Sequence, residues 1–260
     1  MSGFETRWLD LREPADHAAR DAGLLQKATA YVDAGGRNLS VVDLGCGTGS
    51  TLRAFSHSAA QWRWTLLDND PLLLTEATSR HGGDMQLECV KADLSEPSPE
   101  LFAGARLVTA SALLDLVSAS FLQRLVSSLE NTGCGFYTAL NYDGRCTWHQ
   151  AHEADAGVVH AFNSHQRRDK GFGPALGPVA EGVLRDILQT SGFRVFAARS
   201  PWQLGADSAE LQRQFVIGVA AAAGETGLLD RAIVEDWRAY RLEHADRGCV
   251  VGHWDMLATR

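Results

Sequence analysis

The stretch 41–50, VVDLGCGTGS, sets three glycines at alternate positions behind an apolar run that holds an acid. Gly45, Gly47 and Gly49 can take positive φ angles and let a ligand approach the backbone with no Cβ in the way. A loop between a parallel strand and a helix lies outside the carboxyl end of the sheet, where open α/β sheets bind ligands. The spacing G-x-G-x-G differs from the G-x-G-x-x-G of dinucleotide sites, whose helix start holds a pyrophosphate. Asp43, just ahead of the loop, suits a cationic ligand better than a phosphate. Asp68 and Asp93 close the next two apolar runs. A ribose acid such as Asp68 serves a nicotinamide dinucleotide as well, so an NAD-dependent oxidoreductase stays open at this level. Cys46 reads as a small filler of the loop, since no neighbour in sequence marks an activating partner.

A second set of residues could act on a substrate. Asp115, in SALLDLVS, can contact a substrate or accept a proton, or serve as a helix-start acid. Asn141 and Tyr142 follow the fifth apolar run, as a turn or on the substrate side, with Tyr142 a candidate for catalysis. The segment 160–173, HAFNSHQRRDKGFG, is the most unusual stretch. His165 could be a general base there. Arg167 and Lys170 could bind an acidic substrate, with His160 and Trp148 nearby; a solvated loop would carry the same charges. His149, His152, His160, His165 and Glu153 lack the spacing of a recognised zinc motif, so no metal is expected. Arg12, in LREPAD, could reach a carboxylate of cofactor or substrate.

Alternating elements would position these residues. The spacing predicts a helix over 14–34, opened by Pro14 and ended by Gly35 and Gly36. Strands are expected at 39–44, 62–67, 85–91, 106–110 and 135–140, with helices between them. Asp70 and Pro71 mark one helix start, and Phe121, Leu122, Leu125, Val126 and Leu129 form a helical stripe. Such alternation implies a parallel sheet with helices on both faces. From 141 to 179 the pattern breaks, and the stretch reads as a lid over the substrate. Helix and strand resume at 183–189 and 193–198. A helical segment over 207–246 follows, opened by an Asp207-x-x-Glu210 capping box, although 214–220 also reads as a strand. A last strand is expected over 249–257.

On these motifs the chain resembles the class I S-adenosylmethionine-dependent methyltransferases, over about residues 41–116. The resemblance implies a Rossmann-like α/β fold, a seven-stranded mostly parallel sheet, in one domain over 1–260. It implies S-adenosylmethionine as cofactor, whose sulfonium and ammonium groups suit Asp43. Asp43 and the loop Gly45, Cys46, Gly47 and Gly49 would hold the methionine part, and Asp68 both ribose hydroxyls. Asn69 would lie beside the adenosine, Ala92, Asp93 and Leu94 at the adenine edge, and Ser111 under the sulfonium.

Composition narrows the partners. The net charge of −8 disfavours nucleic acid, because an acidic chain repels phosphate backbones. The signatures of amino-group methylation on bases and of cytosine C5 methylation are missing after the fourth strand. No apolar run reaches about 18 residues, so no membrane span is expected. The N-terminus MSGFETRWLD carries neither a basic stretch nor an apolar core of a signal peptide. Five scattered cysteines argue for reduced thiols and a cytoplasmic protein. The expected reaction is methyl transfer by in-line displacement to a small metabolite, an acidic one if Arg167 and Lys170 face it, with a homodimer as the candidate assembly. A catalytically silent cofactor-binding sensor is the third reading.

Overall fold

Pro14 sits inside the first helix and not at its start. In the computed structural model, which describes residues 6–36, 39–81, 83 and 85–260, α1 spans Thr6–Ala19 and α2 spans Ala22–Asp33. The single helix expected over 14–34 is therefore two. Asp21 divides them: its backbone is extended and its side chain accepts the Leu24 N–H at 2.7 Å, a helix-starting cap. Residues 1–5, which carry part of the argument about a leader, lie outside the described residues.

The alternation that follows matches expectation closely. It runs β1 (Ser40–Leu44), α3 (Ser50–Ala54), α4 (Ser56–Ala59), β2 (Arg63–Asp68), α5 (Pro71–His81) and β3 (Gln86–Lys91). Then come β4 (Leu107–Ser111), α6 (Ala119–Thr132) and β5 (Gly135–Trp148). The Asp70 carboxylate accepts the Leu72 N–H at 2.8 Å at the head of α5. Ser118 caps α6, and Gly133, at φ 69°, stops it in the left-handed region. The α6 stripe predicted from sequence is buried along its length.

The break expected over 141–179 shrinks. Residues 141–148 continue β5, and 155–166 form α7 (Asp155–Gln166). The extension pairs antiparallel with β8 (Cys249–Thr259), a partner a hundred residues away that no local pattern announces. The stretch 149–154 and the one between α7 and α8 (Ala180–Thr190) stay irregular, the second apart from a 3-10 turn at Gly177–Val179. Then follow β6 (Arg194–Arg199), β7 (Trp202–Leu204), α9 (Ala209–Thr226) and α10 (Arg231–Glu243). The strand alternative at 214–220 is overturned, because these residues lie in α9 with Val216, Val219 and Ala220 buried at helical spacing. Asp207 makes no cap there; Ser208 precedes the helix without a side-chain capping bond.

The sheet has eight strands rather than seven, in the order β3-β2-β1-β4-β5-β8-β6, with the short β7 added beside β8. The β1, β2, β3, β4 and β5 ladders are parallel, and β8 pairs antiparallel with β5, β6 and β7. Leu122, Leu125 and Leu129 of α6 with Leu184 and Leu188 of α8 fill one apolar core. Leu24, Ala28 and Val32 of α2 join Trp62, Trp64 and Leu74 in a second. Trp62 and Trp64 are fully buried yet satisfied: their indole N–H groups reach the Asp33 carboxylate at 2.9 Å and the Ala59 carbonyl at 3.1 Å. Removing either ring should cost about 3–5 kcal/mol. Helices α7, α9 and α10 form a third core around Val158, Val219 and Trp237, carried on the far end of β5. The functional consequence lies at β1, whose neighbours β2 and β4 are reached by chains running in opposite directions. Strand order reverses there, and a crevice opens at the carboxyl ends. No described helix is long and apolar enough to cross a membrane.

Candidate functional site

The crevice at the ends of β1, β2 and β4 is a cavity floored by the glycine loop. Gly45, Gly47 and Gly49 all adopt positive φ, at 64°, 55° and 85°. The loop is latched to the end of β2. The Cys46 N–H donates to the Leu67 carbonyl at 3.0 Å, and the Gly47 N–H donates to Asp68 Oδ2 at 2.9 Å. The Asp70 N–H takes the other oxygen of Asp68 at 3.0 Å. A carboxylate offers about four lone-pair sites, so two remain for ligand hydroxyls. Asp68 lines the cavity with Asn69, Asp93 and Leu94, as expected. The Ser95 N–H, at 2.9 Å from Asp93, holds that carboxyl below its ordinary range.

The structure places three further candidates of the loop and strand ends. Ala92 does not line the cavity; it packs against the core below, its N–H bonded to the Asp68 carbonyl at 2.9 Å. Cys46 lines the cavity, but burial and the nearby Asp43 and Asp68 push its thiol up, so it stays neutral. Asp43 lies beneath the loop, fully buried, with the Thr109 hydroxyl donating to it at 2.7 Å. Burial pushes its carboxyl up to about 7. The fold therefore favours the protonated form. Stability from this group is fully present below about pH 3.9 and is lost as pH rises through about 7. Asp43→Asn should flatten the dependence of Tm on pH across that window, read by melting curves in matched buffers.

Helix α1 roofs the cavity. Glu13 pairs with Arg53, Asp10 pairs with Arg80 at 2.6 Å, and His17 Nε2 lies 3.1 Å from the Ser50 carbonyl oxygen. Leu9 lies against Gly47, where a Cβ would meet its Cδ1 at 3.2 Å. Arg12 reaches the cavity as expected, but its guanidinium is already bonded twice to Asp16, at 2.8 and 3.1 Å. Asp16 also accepts the Trp202 indole N–H at 2.9 Å. Sequence reasoning missed Arg20. It is buried, lines the cavity and donates to Ser111 Oγ at 2.7 Å, while its Nε and Nη1 have no partner among the described residues. The cap at Asp21 was the available signal, since it ends α1 at this point.

Ser111, Ala112, Leu113, Leu116, Gly171 and Phe172 form the opposite wall. Ala112 holds φ at 50°, an uncommon value for a residue with a side chain. Asp115 lies between the lining residues Leu113 and Leu116 in sequence, buried, with Oδ1 unpartnered. Burial raises its carboxyl to about 6. Tyr142 is buried behind it and donates to Asn163 Oδ1 at 2.9 Å; burial pushes its phenol up, so it holds its proton. The Asn141 amide donates to Thr138 Oγ1 at 3.0 Å and the Trp254 carbonyl at 3.2 Å.

Asp115, Tyr142 and Asn141 are themselves not among the lining residues, and the remaining candidates lie farther from the cavity. His165 faces Glu225 at 3.0 Å, with Lys170 Nζ 3.3 Å from its other nitrogen; burial lowers its pKa. Arg167 and His160 are exposed. Trp148 packs edge-on to Trp237, under the Arg241 guanidinium. The reason is shared: these residues ride on α7 and the far end of β5, which build the third core, while only Gly171 and Phe172 fold back to the cavity. His149 and His152 are likewise engaged apart, near the Arg247 carbonyl and near Asp236.

A family described as "Methyltransferase domain" matches residues 41–133, the stretch from β1 to the end of α6. No curated protein matches the chain in sequence. Solved structures do in fold. The cyclopropane synthase MmaA2 from Mycobacterium tuberculosis is 11% identical, with a TM-score of 0.55 over 98% of this chain and 95% of that one. A putative methyltransferase from Bacillus halodurans C-125 is 15% identical, with a TM-score of 0.52 over 92% of this chain and 97% of that one. Magnesium protoporphyrin IX methyltransferase from Synechocystis PCC 6803, with bound S-adenosylmethionine, is 16% identical, at TM-score 0.44 over 77% and 80%. The fold likeness rests on the first two.

Proposed function

We propose that the chain is a class I S-adenosylmethionine-dependent methyltransferase, as the match of residues 41–133 to a methyltransferase domain supports, and that it methylates a hydroxyl or amine of a small molecule. When bound, the cofactor supplies an electrophilic methyl group on a sulfonium, open to in-line displacement. The residues present fit it. Arg20 has two unpaired nitrogens for a carboxylate, and Asp68 has lone pairs left for ribose hydroxyls. Leu73 and Leu94 offer an apolar slot for the base. A buried guanidinium with unmet donors is costly, and an anionic ligand group removes that cost.

The observation that carries the acceptor class is Asp115 Oδ1, a buried carboxyl oxygen without a partner among the described residues, in the turn between the lining residues Leu113 and Leu116. Such an oxygen accepts hydrogen bonds, so it selects an acceptor group that donates one. Asp115 takes the proton of that hydroxyl or amine as a general base. The apolar side chains Leu9, Leu113, Leu116 and Phe172 exclude water and hold the acceptor's body. The acidic substrate class loses its support, because Arg167 and Lys170 stand outside the cavity and Arg12 is neutralised by Asp16. The whole chain acts as one domain, with α7, α9 and α10 bracing the wall that carries Phe172.

Calorimetry with S-adenosylmethionine, S-adenosylhomocysteine and NAD tests the family reading. The first two should bind and NAD should not; NAD binding alone would sink the reading. Asp68→Ala should weaken S-adenosylmethionine by about 1–3 kcal/mol, the cost of losing hydrogen bonds to a charged group.

A further inference from the structure

Asp255, in the middle of β8, is completely buried and absent from the cavity lining, yet it ties three distant segments together. Its Oδ1 accepts the Leu140 N–H at 2.9 Å and the Ser200 hydroxyl at 2.6 Å. Its Oδ2 accepts the Asp21 N–H at 2.9 Å. A buried carboxylate is tolerated only when donors surround it, and here they do.

Both joints lead to the cavity. Asp21 starts α2, and Arg20 immediately precedes it, so the Asp21 bond fixes the backbone from which the Arg20 side chain reaches Ser111 Oγ at 2.7 Å. Two of Arg20's nitrogens have no hydrogen-bond partner among the described residues, so that backbone anchor and the Ser111 bond carry much of its direction. On the other side Leu140 holds φ at 60°, a conformation that needs outside support in a branched side chain. The preceding residue, Ala139, accepts the Ala112 N–H at 3.0 Å, and Ala112 is the positive-φ residue of the cavity wall beside Ser111. One side chain thus joins the Arg20 joint of the roof to the Ser111–Ala112 turn of the wall.

We propose that Asp255 is a positioning residue that sets the distance between Arg20 and the Ser111–Ala112 turn, and so makes this end of the cavity selective for a carboxylate-bearing cofactor. The inference rests on Arg20 as the carboxylate receptor proposed above.

The test compares binding of S-adenosylmethionine with that of decarboxylated S-adenosylmethionine by calorimetry. The parent should prefer the first by about tenfold or more, the range for a charge-assisted hydrogen bond. Arg20→Met should bring the ratio near one. An amide has one acceptor oxygen and cannot serve backbone N–H groups on both sides, so Asp255→Asn should cut the ratio at least threefold, to about three or less. Ser200→Ala is the control: it should lower Tm, because it strips one bond from Asp255, and leave the ratio intact. In the parent, hydrogen exchange supplies a readout that needs no folded variant. The Asp21 and Leu140 amides should slow on binding S-adenosylmethionine and not its decarboxylated form, since coupling between bonded groups is reciprocal. If Asp255→Asn weakens both ligands equally, or the two amides respond alike to both, Asp255 is only structural and the proposal fails. If Arg20→Met keeps the parent ratio, the carboxylate reading of Arg20 fails first.

Discussion

Arg20→Met should lose about a hundredfold in affinity for S-adenosylmethionine while melting at or above the temperature of the parent protein. The two effects have opposite causes. In the ligand-free fold the Arg20 guanidinium is buried with Nε and Nη1 unpaired among the described residues; it donates to the neutral Ser111 hydroxyl and lies within the electrostatic reach of the buried Asp43 and Asp255 carboxyls. Replacing a buried, incompletely satisfied cation by an apolar chain of similar length removes a desolvation penalty. The same replacement removes the charge-assisted bonds that a carboxylate ligand would make. Calorimetry and a thermal melt of the ligand-free protein separate the two. A large fall in Tm with unchanged affinity would make Arg20 structural and send the carboxylate elsewhere. Arg12 offers a contrast, because its guanidinium is held by Asp16 and lies 5.1 Å from the Trp202 ring.

Asp115→Asn should lower turnover by about 10²–10⁴-fold, the usual contribution of a positioned general base, with S-adenosylmethionine affinity held within about twofold. Turnover would be read on the best acceptor from a panel of hydroxyl- and amine-bearing metabolites. The pH profile adds a sharper readout. Burial holds the Asp115 carboxyl up to about 6. Only the deprotonated form accepts a proton, so the parent rate should rise with pH through about 6 and level off above it. The variant should lack that step. A parent rate flat across pH 5–8, or a variant of full activity, would remove Asp115 from the chemistry.

The strands and helices from β1 to α6 were legible because their signals are local. Val41 and Val42 run into glycines, Asp70 and Pro71 open α5, and Leu122, Leu125 and Leu129 repeat at helical spacing. Beyond residue 140 the signals cease to be local. Cys146 buried and Thr147 exposed do alternate as a strand should, but the partner that makes them one is Val250 and Val251 of β8. Without sight of that pairing, 141–148 reads as the start of a lid. At the other end, Pro14 suggested a helix start, and the better signal was Asp21, whose cap divides α1 from α2.

The same division holds for the site. Gly45, Gly47, Gly49, Asp68 and Asp93 follow directly from sequence, because each stands at the end of a strand or in the loop beyond it. A parallel sheet sends all such ends to one edge. The place of the cofactor was therefore legible in the chain alone, and its class came with the resemblance those residues carry. Which side chains complete the site was not. Arg12 and Arg20 sit in the same helix region, and only the docking of α1 on the glycine loop leaves one paired with Asp16 and the other unpaired over Ser111. His165 has the chemistry of a base, while Asp115 lies between the cavity-lining residues Leu113 and Leu116. The packing of α7 against α9 turns the first toward Glu225, while the turn after β4 buries the second beside the cavity wall. Asp255 carried no signal at all, since its role exists only where β8 inserts beside β5 and meets the Asp21 joint. Strand ends are set by local pattern, whereas the direction of a side chain into a cavity is set by contacts between segments far apart in the chain.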